Sequence, residues 1–233
     1  MARFGKEART RRGTAMRRRR PASAKGRAAA PDTRTARRAE KREAILTAAL
    51  EEFSARGFTS TRLDDVAQRA GVAKGTIYLY FRDKESLFQD IVRTMLSPLV
   101  GNIESVLEID APVRDIAEQV SELFVREVFL TRRKDVIRLM IAEGPRFPKL
   151  AEFYYREVLS RIMNAVRKLL ERAVERGEMK SAAAARFPQL IGAPAIIAIL
   201  WSGLFDRFEP LDVRALLRAQ FDLLFGEKGG SRP

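Results

Sequence analysis

From Ile45 onward the large apolar residues of this chain recur three and four positions apart, and nowhere do they alternate along a run long enough for a strand. That spacing is the mark of amphipathic helices, whose apolar stripe returns about every 3.6 residues. Ile45, Leu46, Ala49, Leu50 and Phe53 form the first stripe, with Asp32 placed to cap its start and Arg56–Gly57 to end it. A second, short helix follows Thr61, whose hydroxyl is placed to cap it with Asp64 as capping-box partner, and it turns Leu63, Val66 and Ala67 inward. Gly71 breaks that helix. A third runs from Ala73 to Phe81, and a fourth from Lys84 to Leu96 buries Leu87, Phe88, Ile91, Val92, Met95 and Leu96. Beyond Pro112 the pattern predicts helices over 113–131, 134–143, 148–177, 184–205 and 211–225, separated at Gly144–Pro145, Gly177 and Glu209–Pro210. The expectation is an all-α protein of about nine helices.

Charge is distributed unevenly. Of 44 basic and 30 acidic residues, 16 basic and 3 acidic fall within residues 1–42, leaving 28 and 27 for the rest. A nearly neutral body thus carries a cationic arm, residues 1–31, with Arg17 to Arg20 in one run and almost no large apolar residue. Such a segment cannot offset the entropy of ordering and is expected to be disordered when free. Its charge implies attraction to a polyanion, either nucleic acid or an anionic membrane surface.

The chain has neither Cys nor His. Disulfides, Cys-ligated zinc, iron–sulfur clusters and thiol catalysis are excluded, and so are Ser-His-Asp triads and His-based metal sites. A Cys-free chain suits a reducing cytoplasm. The adjacent acids Glu51–Glu52 and Asp64–Asp65 point about 100° apart on a helix and do not converge on a substrate. The expectation is a binding protein without cofactor or metal, not an enzyme. Residues 187–205 are uncharged and long enough for a membrane span. Pro188, Gln189, Pro194 and two glycines within them instead favour a helix buried in a bundle or a dimer seam, without membrane insertion.

Residues 57–84 read GFTSTRLDDVAQRAGVAKGTIYLYFRDK, a helix-turn-helix with small Ala67 at the helix crossing and Gly71 in the turn. On the third helix Ile77 and Phe81 share the inner face, while Gly75, Tyr78 and Leu79 point outward and Thr76 and Tyr80 share a flank. An exposed Gly, Tyr and Leu preceded by Lys74 suits entry into a DNA major groove: Gly75 for close approach, Tyr78 for base edges or a thymine methyl, Thr76 and Tyr80 for phosphates. Thr61, Arg62 and Lys84 complete the expected DNA-contacting set, Lys84 at a helix N-terminus that itself favours phosphate.

The run GVAKGTIYLYFRDKESLF resembles the recognition-helix signature of the TetR family of bacterial transcriptional regulators, and the likeness extends over roughly residues 38–96. Ala73 stands where the family often has a small hydroxyl residue, and Leu79 where it often has a polar one, so base preference does not carry over. Residues 138–159, RLMIAEGPRFPKLAEFYYREVL, are similar to the AefR-like C-terminal domain of one branch. The resemblance implies a body that binds a small molecule and dimerises through its last two helices. Independently, residues 187–205 and the final helix, with Leu211, Val213, Leu216, Leu217, Phe221, Leu224 and Phe225, offer more apolar surface than one small body readily covers.

The expected organisation is an arm (1–31), a helix-turn-helix head (32–83), a ligand-binding and dimerisation body (84–226) and a flexible tail (227–233). Candidate pocket residues are Phe124, Phe129, Leu139, Met140, Phe153, Met163, Ile197, Trp201 and Phe205, a lining suited to an apolar or aromatic molecule, with Arg138, Glu143 and Tyr154 as polar groups nearby. Candidate dimer residues are Leu190, Ile191, Ile197, Leu216, Leu217, Phe221 and Leu224. The expected activity is that of a homodimeric repressor on a palindromic double-stranded operator, released by a small-molecule effector. The rival is an RNA- or anionic-membrane-binding protein that works through its arm, with the helical body only structural.

Overall fold

The computed structural model describes residues 33–179 and 183–226. The arm, the Asp32 cap and the tail lie outside them. Helix α1 (Thr33–Ser60), α2 (Leu63–Arg69) and α3 (Lys74–Ile77) form the head, followed by α4 (Lys84–Met95) and α5 (Ser97–Leu107). The body continues with α6 (Val113–Phe124), α7 (Arg133–Glu143), α8 (Pro148–Tyr154), α9 (Ser160–Glu175), the single turn α10 (Ala183–Arg186), α11 (Gln189–Leu204) and α12 (Val213–Phe225). Several of these are continuous. Leu96 donates to the Val92 carbonyl at 2.9 Å and accepts from Val100 at 3.0 Å, joining α4 to α5. A π turn, Val125–Phe129, extends α6, and another, Tyr155–Leu159, joins α8 to α9. Counted as rods, the described residues make nine helices plus α10, with no strand, the all-α architecture expected.

Gly57 sets how the head meets the body. Its φ of 79° and ψ of 160° break the helical path inside α1, which resumes for one last turn to Ser60. A side chain there would need the left-handed region and would also put Cβ 2.9 Å from Glu143 Oε1. The break swings Phe58 inward, where its ring centroid lies 5.1 Å from Phe53, 6.1 Å from Phe88 and 4.7 Å from Phe147. These rings come from α1, α4 and the turn before α8, so one apolar core runs from Ile77 and Phe81 of the head to Val136, Leu139, Met140 and Phe153 of the body. A second core surrounds Ile103, Ile116, Val128, Leu170 and Ile199, and a third joins Val125 and Ala198 to Val213 and Leu217.

Local details depart from expectation for physical reasons. The Thr61 hydroxyl does not cap α2. It donates to the Gly57 carbonyl four residues back at 2.8 Å, and α2 begins at Leu63 after Arg62, whose side chain does not cap it. The third helix is a single turn, continued to Phe81 by tighter bonds such as Tyr80 to Ile77 at 3.0 Å. Helix α5 was not expected at all: Ser97–Pro98 reads as a break, yet proline sits in the first turn, where its missing N–H costs nothing. The expected 184–205 helix divides at Phe187–Pro188 into α10 and α11. Within α11, Pro194 cannot donate to Leu190, and Gln220 Nε2 of α12 bonds that carbonyl instead at 2.6 Å.

Phe58→Ala would delete a fully buried ring that touches three others. It is expected to lower unfolding free energy by about 3–5 kcal/mol in a urea titration. A loss under about 1 kcal/mol would mean that the junction is not packed as described.

Candidate nucleic-acid interface and buried chamber

The head presents the expected surface with two changes. Tyr78 is 50% and Leu79 78% exposed, Lys74, Gly75 and Arg62 are exposed, and Thr76 and Tyr80 are half-buried, so these residues gather around one convex turn. The Arg38 guanidinium of α1 lies 5.8 Å from the Tyr80 ring centroid. Thr61, by contrast, is 2% exposed and its hydroxyl is spent on Gly57, so it shapes the turn and has no group facing outward for DNA. Lys84 gives two hydrogen bonds of 2.8 Å to the carbonyls of Phe58 and Thr59 and lies 4.9 Å from the Phe58 ring centroid, which leaves one of its three N–H donors. Sequence reasoning saw a surface cation at a helix start and had no means to see those carbonyls.

Asp64 organises the charged part of the surface. It accepts from Lys74 at 2.8 Å and from the Tyr78 hydroxyl at 3.4 Å, bridging α2 and α3. The hydrogen bond from Lys74 holds its carboxyl below the usual carboxylate range, and Asp64 in turn holds the Lys74 ammonium above its usual value. Both DNA-facing candidates are thus held by an acid that competes with phosphate. Asp64→Asn is expected to bind DNA at least as tightly as the parent, with the log K against log salt slope steeper by about 0.9, one more phosphate neutralised. An unchanged slope would show that Lys74 reaches no phosphate.

Between α4–α5, α6, α9, α11 and α12 lies a chamber of about 420 Å³. Phe124 and Met163 line it as expected. Leu139, Met140 and Phe153 do not, because the core shared with the head takes them. Phe129 packs at the edge of two cores, with Lys134 Nζ 5.2 Å from its ring centroid. Trp201 donates Nε1 to the Glu209 carbonyl at 2.7 Å and meets exposed Phe205 edge to face, while Ile197 faces outward, so all three are outside the chamber. Among the lining residues that were missed are four from the unexpected α5, Leu99, Val100, Ile103 and Leu107. Their i, i+4, i+8 spacing after Pro98 was the available signal.

Among the described residues no acidic or basic side chain lines the chamber, and its polar side chains are Ser121, Tyr154 and Gln189. Burial pushes the Tyr154 phenol up to about 12, so it remains a protonated hydroxyl at physiological pH. The other two polar candidates serve structure. Arg138 gives two bonds to the Ile199 carbonyl, at 3.1 and 3.0 Å, and one to Ser202 at 2.7 Å, tying α7 to α11. Glu143 Oε1 accepts the Phe58 N–H at 3.1 Å, tying α7 to the head.

The expected dimer residues divide. Ile191, Leu217 and Phe221 turn into the chamber wall and are not free for a partner. Leu190 and Ile197 are exposed, Leu216 and Leu224 half-buried, and Leu204, Phe208 and Leu223 add exposed apolar surface on α11, the loop after it and α12, Leu223 at 88%. No helix among the described residues is long and apolar enough to cross a membrane, and α11 itself has only 16 residues.

Two family models match this chain: bacterial regulatory proteins of the tetR family over residues 45–91, and the AefR-like transcriptional repressor C-terminal domain over residues 113–218. The chain is 31% identical over 120 residues to the HTH-type transcriptional regulator RutR of Escherichia coli, a match covering 52% of this chain and 49% of that one. It therefore spans about half the length of that relative. Among solved structures it is similar to the transcriptional regulator FadR of Bacillus subtilis in complex with stearoyl-CoA, with TM-score 0.61, 21% identity and coverage of 80% of this chain and 99% of that one. It is similar also to SmeT in its triclosan complex, with TM-score 0.65, 21% identity and coverage of 81% and 93%. At such identities these two structures show the fold, and the family rests on the two models, which between them take in the head and most of the body. The chain belongs to the TetR family of bacterial transcriptional regulators, which are DNA-binding proteins and not enzymes.

Proposed function

We propose that this protein is a cytoplasmic, homodimeric repressor that leaves a palindromic operator when a small apolar molecule fills the chamber. Tyr78, Leu79, Gly75 and Lys74 would enter the major groove, with Thr76, Tyr80, Arg62 and the remaining donor of Lys84 toward phosphates. The paired heads would occupy successive grooves about 34–36 Å apart. The exposed apolar residues of α11 and α12 supply the natural partner surface for a four-helix seam between two copies. Relatives of this fold seen with stearoyl-CoA and with triclosan support a ligand in the body without identifying it.

One observation carries the coupling: two rods run from the chamber wall to the same residue near the end of α1, Phe58. Leu96, at the far end of α4, lines the chamber, and Lys84, at its start, grips the carbonyls of Phe58 and Thr59. Ile137 of α7 lines the chamber, and Glu143, at the end of α7, takes the Phe58 N–H. At its other end α7 begins after Arg132, which bonds Glu51 of α1 at 2.8 Å; Glu51 also meets Arg69 of α2 at 3.3 Å. A molecule that shifts the wall therefore shifts the platform that sets the head's tilt. For release, it must bind the DNA-incompetent arrangement more tightly than the competent one.

Anisotropy titrations with the DNA upstream of the protein's own gene test this reading. Tyr78→Ala is expected to lose specific binding in the full chain and in a chain starting at Thr33. Removing the arm is expected to weaken binding to all DNA and flatten the salt slope while specificity survives. If all binding disappears with the arm and Tyr78→Ala changes nothing, the arm-driven polyanion reading replaces this one. Glu143→Ala is expected to keep DNA binding within about threefold but blunt release by effector, with Glu143→Gln, which keeps an acceptor oxygen, restoring it. Full release from the alanine variant would remove Glu143 from the coupling. Leu223→Arg is expected to shift the protein from dimer toward monomer in sedimentation and to lower operator affinity by tenfold or more.

A further inference from the structure

We propose that the effector is an anionic amphiphile, with a slender apolar chain inside the chamber and a carboxylate or phosphate head outside it at Arg218. The inference rests on the chamber being the effector site, and it adds the chemical class of the ligand and a site for the ligand's charged end.

Two observations on the cavities carry it. Among the described residues the chamber interior offers an anion no countercharge, its polar side chains being the neutral Ser121, Tyr154 and Gln189, and an unpaired charge among its Leu, Ile and Val side chains would be strongly unfavourable. The interior instead suits a methylene chain, and at about 30 Å³ for each water-sized group its volume accommodates roughly a dozen carbons. The chamber wall is shared with a second cavity at one place, however. Ser121 and Leu217 belong both to its wall and to an outer cleft of about 540 Å³ between α6 and α12.

That cleft is charged. Arg114 is held by Glu118 at 3.0 Å and by Asp222 and the Gly226 carbonyl, and Arg214 is held by Glu122 at 3.0 and 2.8 Å. Arg218 lies one turn beyond Arg214 on the same face of α12, lines the cleft, is exposed, and has no ion-pair or hydrogen-bond partner among the described residues. It is the cation open to a head group emerging past Ser121. The neighbouring Arg214–Glu122 pair is itself half exposed, so rearranging it to give a second guanidinium costs little. Guanidinium suits carboxylate and phosphate equally well, by paired parallel hydrogen bonds.

The test uses the full chain and displacement of N-phenyl-1-naphthylamine, a neutral fluorescent probe, by dodecanoate, dodecyl phosphate and dodecanol below their aggregation limits. Both anions are expected to displace the probe at concentrations at least tenfold lower than dodecanol. Arg218→Ala is expected to erase that advantage and leave dodecanol unchanged. Ser121→Phe, which blocks the doorway, is expected to weaken the anions more than dodecanol. A stronger effect of Arg218→Ala on dodecyl phosphate than on dodecanoate identifies a phosphate head, and the reverse a carboxylate. If the alcohol competes as well as the anions, or if Arg218→Ala leaves the ratio intact, the head-group site is wrong while the chamber stands. If the probe itself does not bind, the chamber reading fails and takes the amphiphile with it.

Discussion

The joining of head to body depends on one bend, the positive-φ turn at Gly57 that inserts Phe58 between them. The residue after the bend is held by every polar and apolar means available to it. Its ring packs against Phe53, Phe88 and Phe147, its N–H is taken by Glu143, and its carbonyl is taken by Lys84. The two very short helices α2 and α3 bury little surface of their own, and here the head shares a core with α7 and α8. In the proposed coupling the head would move with whatever moves those helices, and a ligand bound in the body would be read at a DNA surface in that way.

The polar network near the bend strengthens that connection. Buried Glu52 accepts from Arg69 at 2.6 Å and faces Arg56 at 3.3 Å, while Glu51 joins Arg132 of the body to Arg69 of the head. Several of these pairs are partly exposed, and such pairs contribute modestly to stability. Their value lies in register, because they tie α1 to α2 through Arg69 and to the start of α7 through Arg132, and together they allow few relative tilts. The aromatic packing supplies the affinity between head and body, and the ion pairs and the Glu143 bond supply the angle.

Much of this was legible in the sequence, because helical periodicity and the residues between Thr61 and Lys84 are local signals. The all-α class, the positions of most rods, and the exposed Tyr78 and Leu79 beside buried Ile77 and Phe81 all follow from spacing of that kind. Long-range partners were not legible. Nothing local tells that Thr61 prefers the carbonyl four residues back, that Lys84 spends its donors on α1, or that Arg138 reaches Ile199. The chamber was misread for a related reason: apolar side chains look alike in sequence, and only the packing decides that Phe153 joins the head's core while Ile191 and Phe221 line the cavity. Pro98 hid α5 by resembling a break where it is in fact a start.

The absence of cysteine from the chain permits a direct measurement on the bend. A single spin label introduced by Leu79→Cys on the exposed turn of the head would report, in the proposed dimer, the separation of the two candidate DNA-reading surfaces. The labelled protein would be compared with the same protein carrying Glu143→Ala. If the junction at Phe58 sets the head's tilt, the parent gives one narrow distance and loss of the Glu143 bond broadens or shifts it. If both proteins give the same narrow distribution, the head's position is fixed elsewhere and the Gly57–Phe58 bend is not where the body controls it.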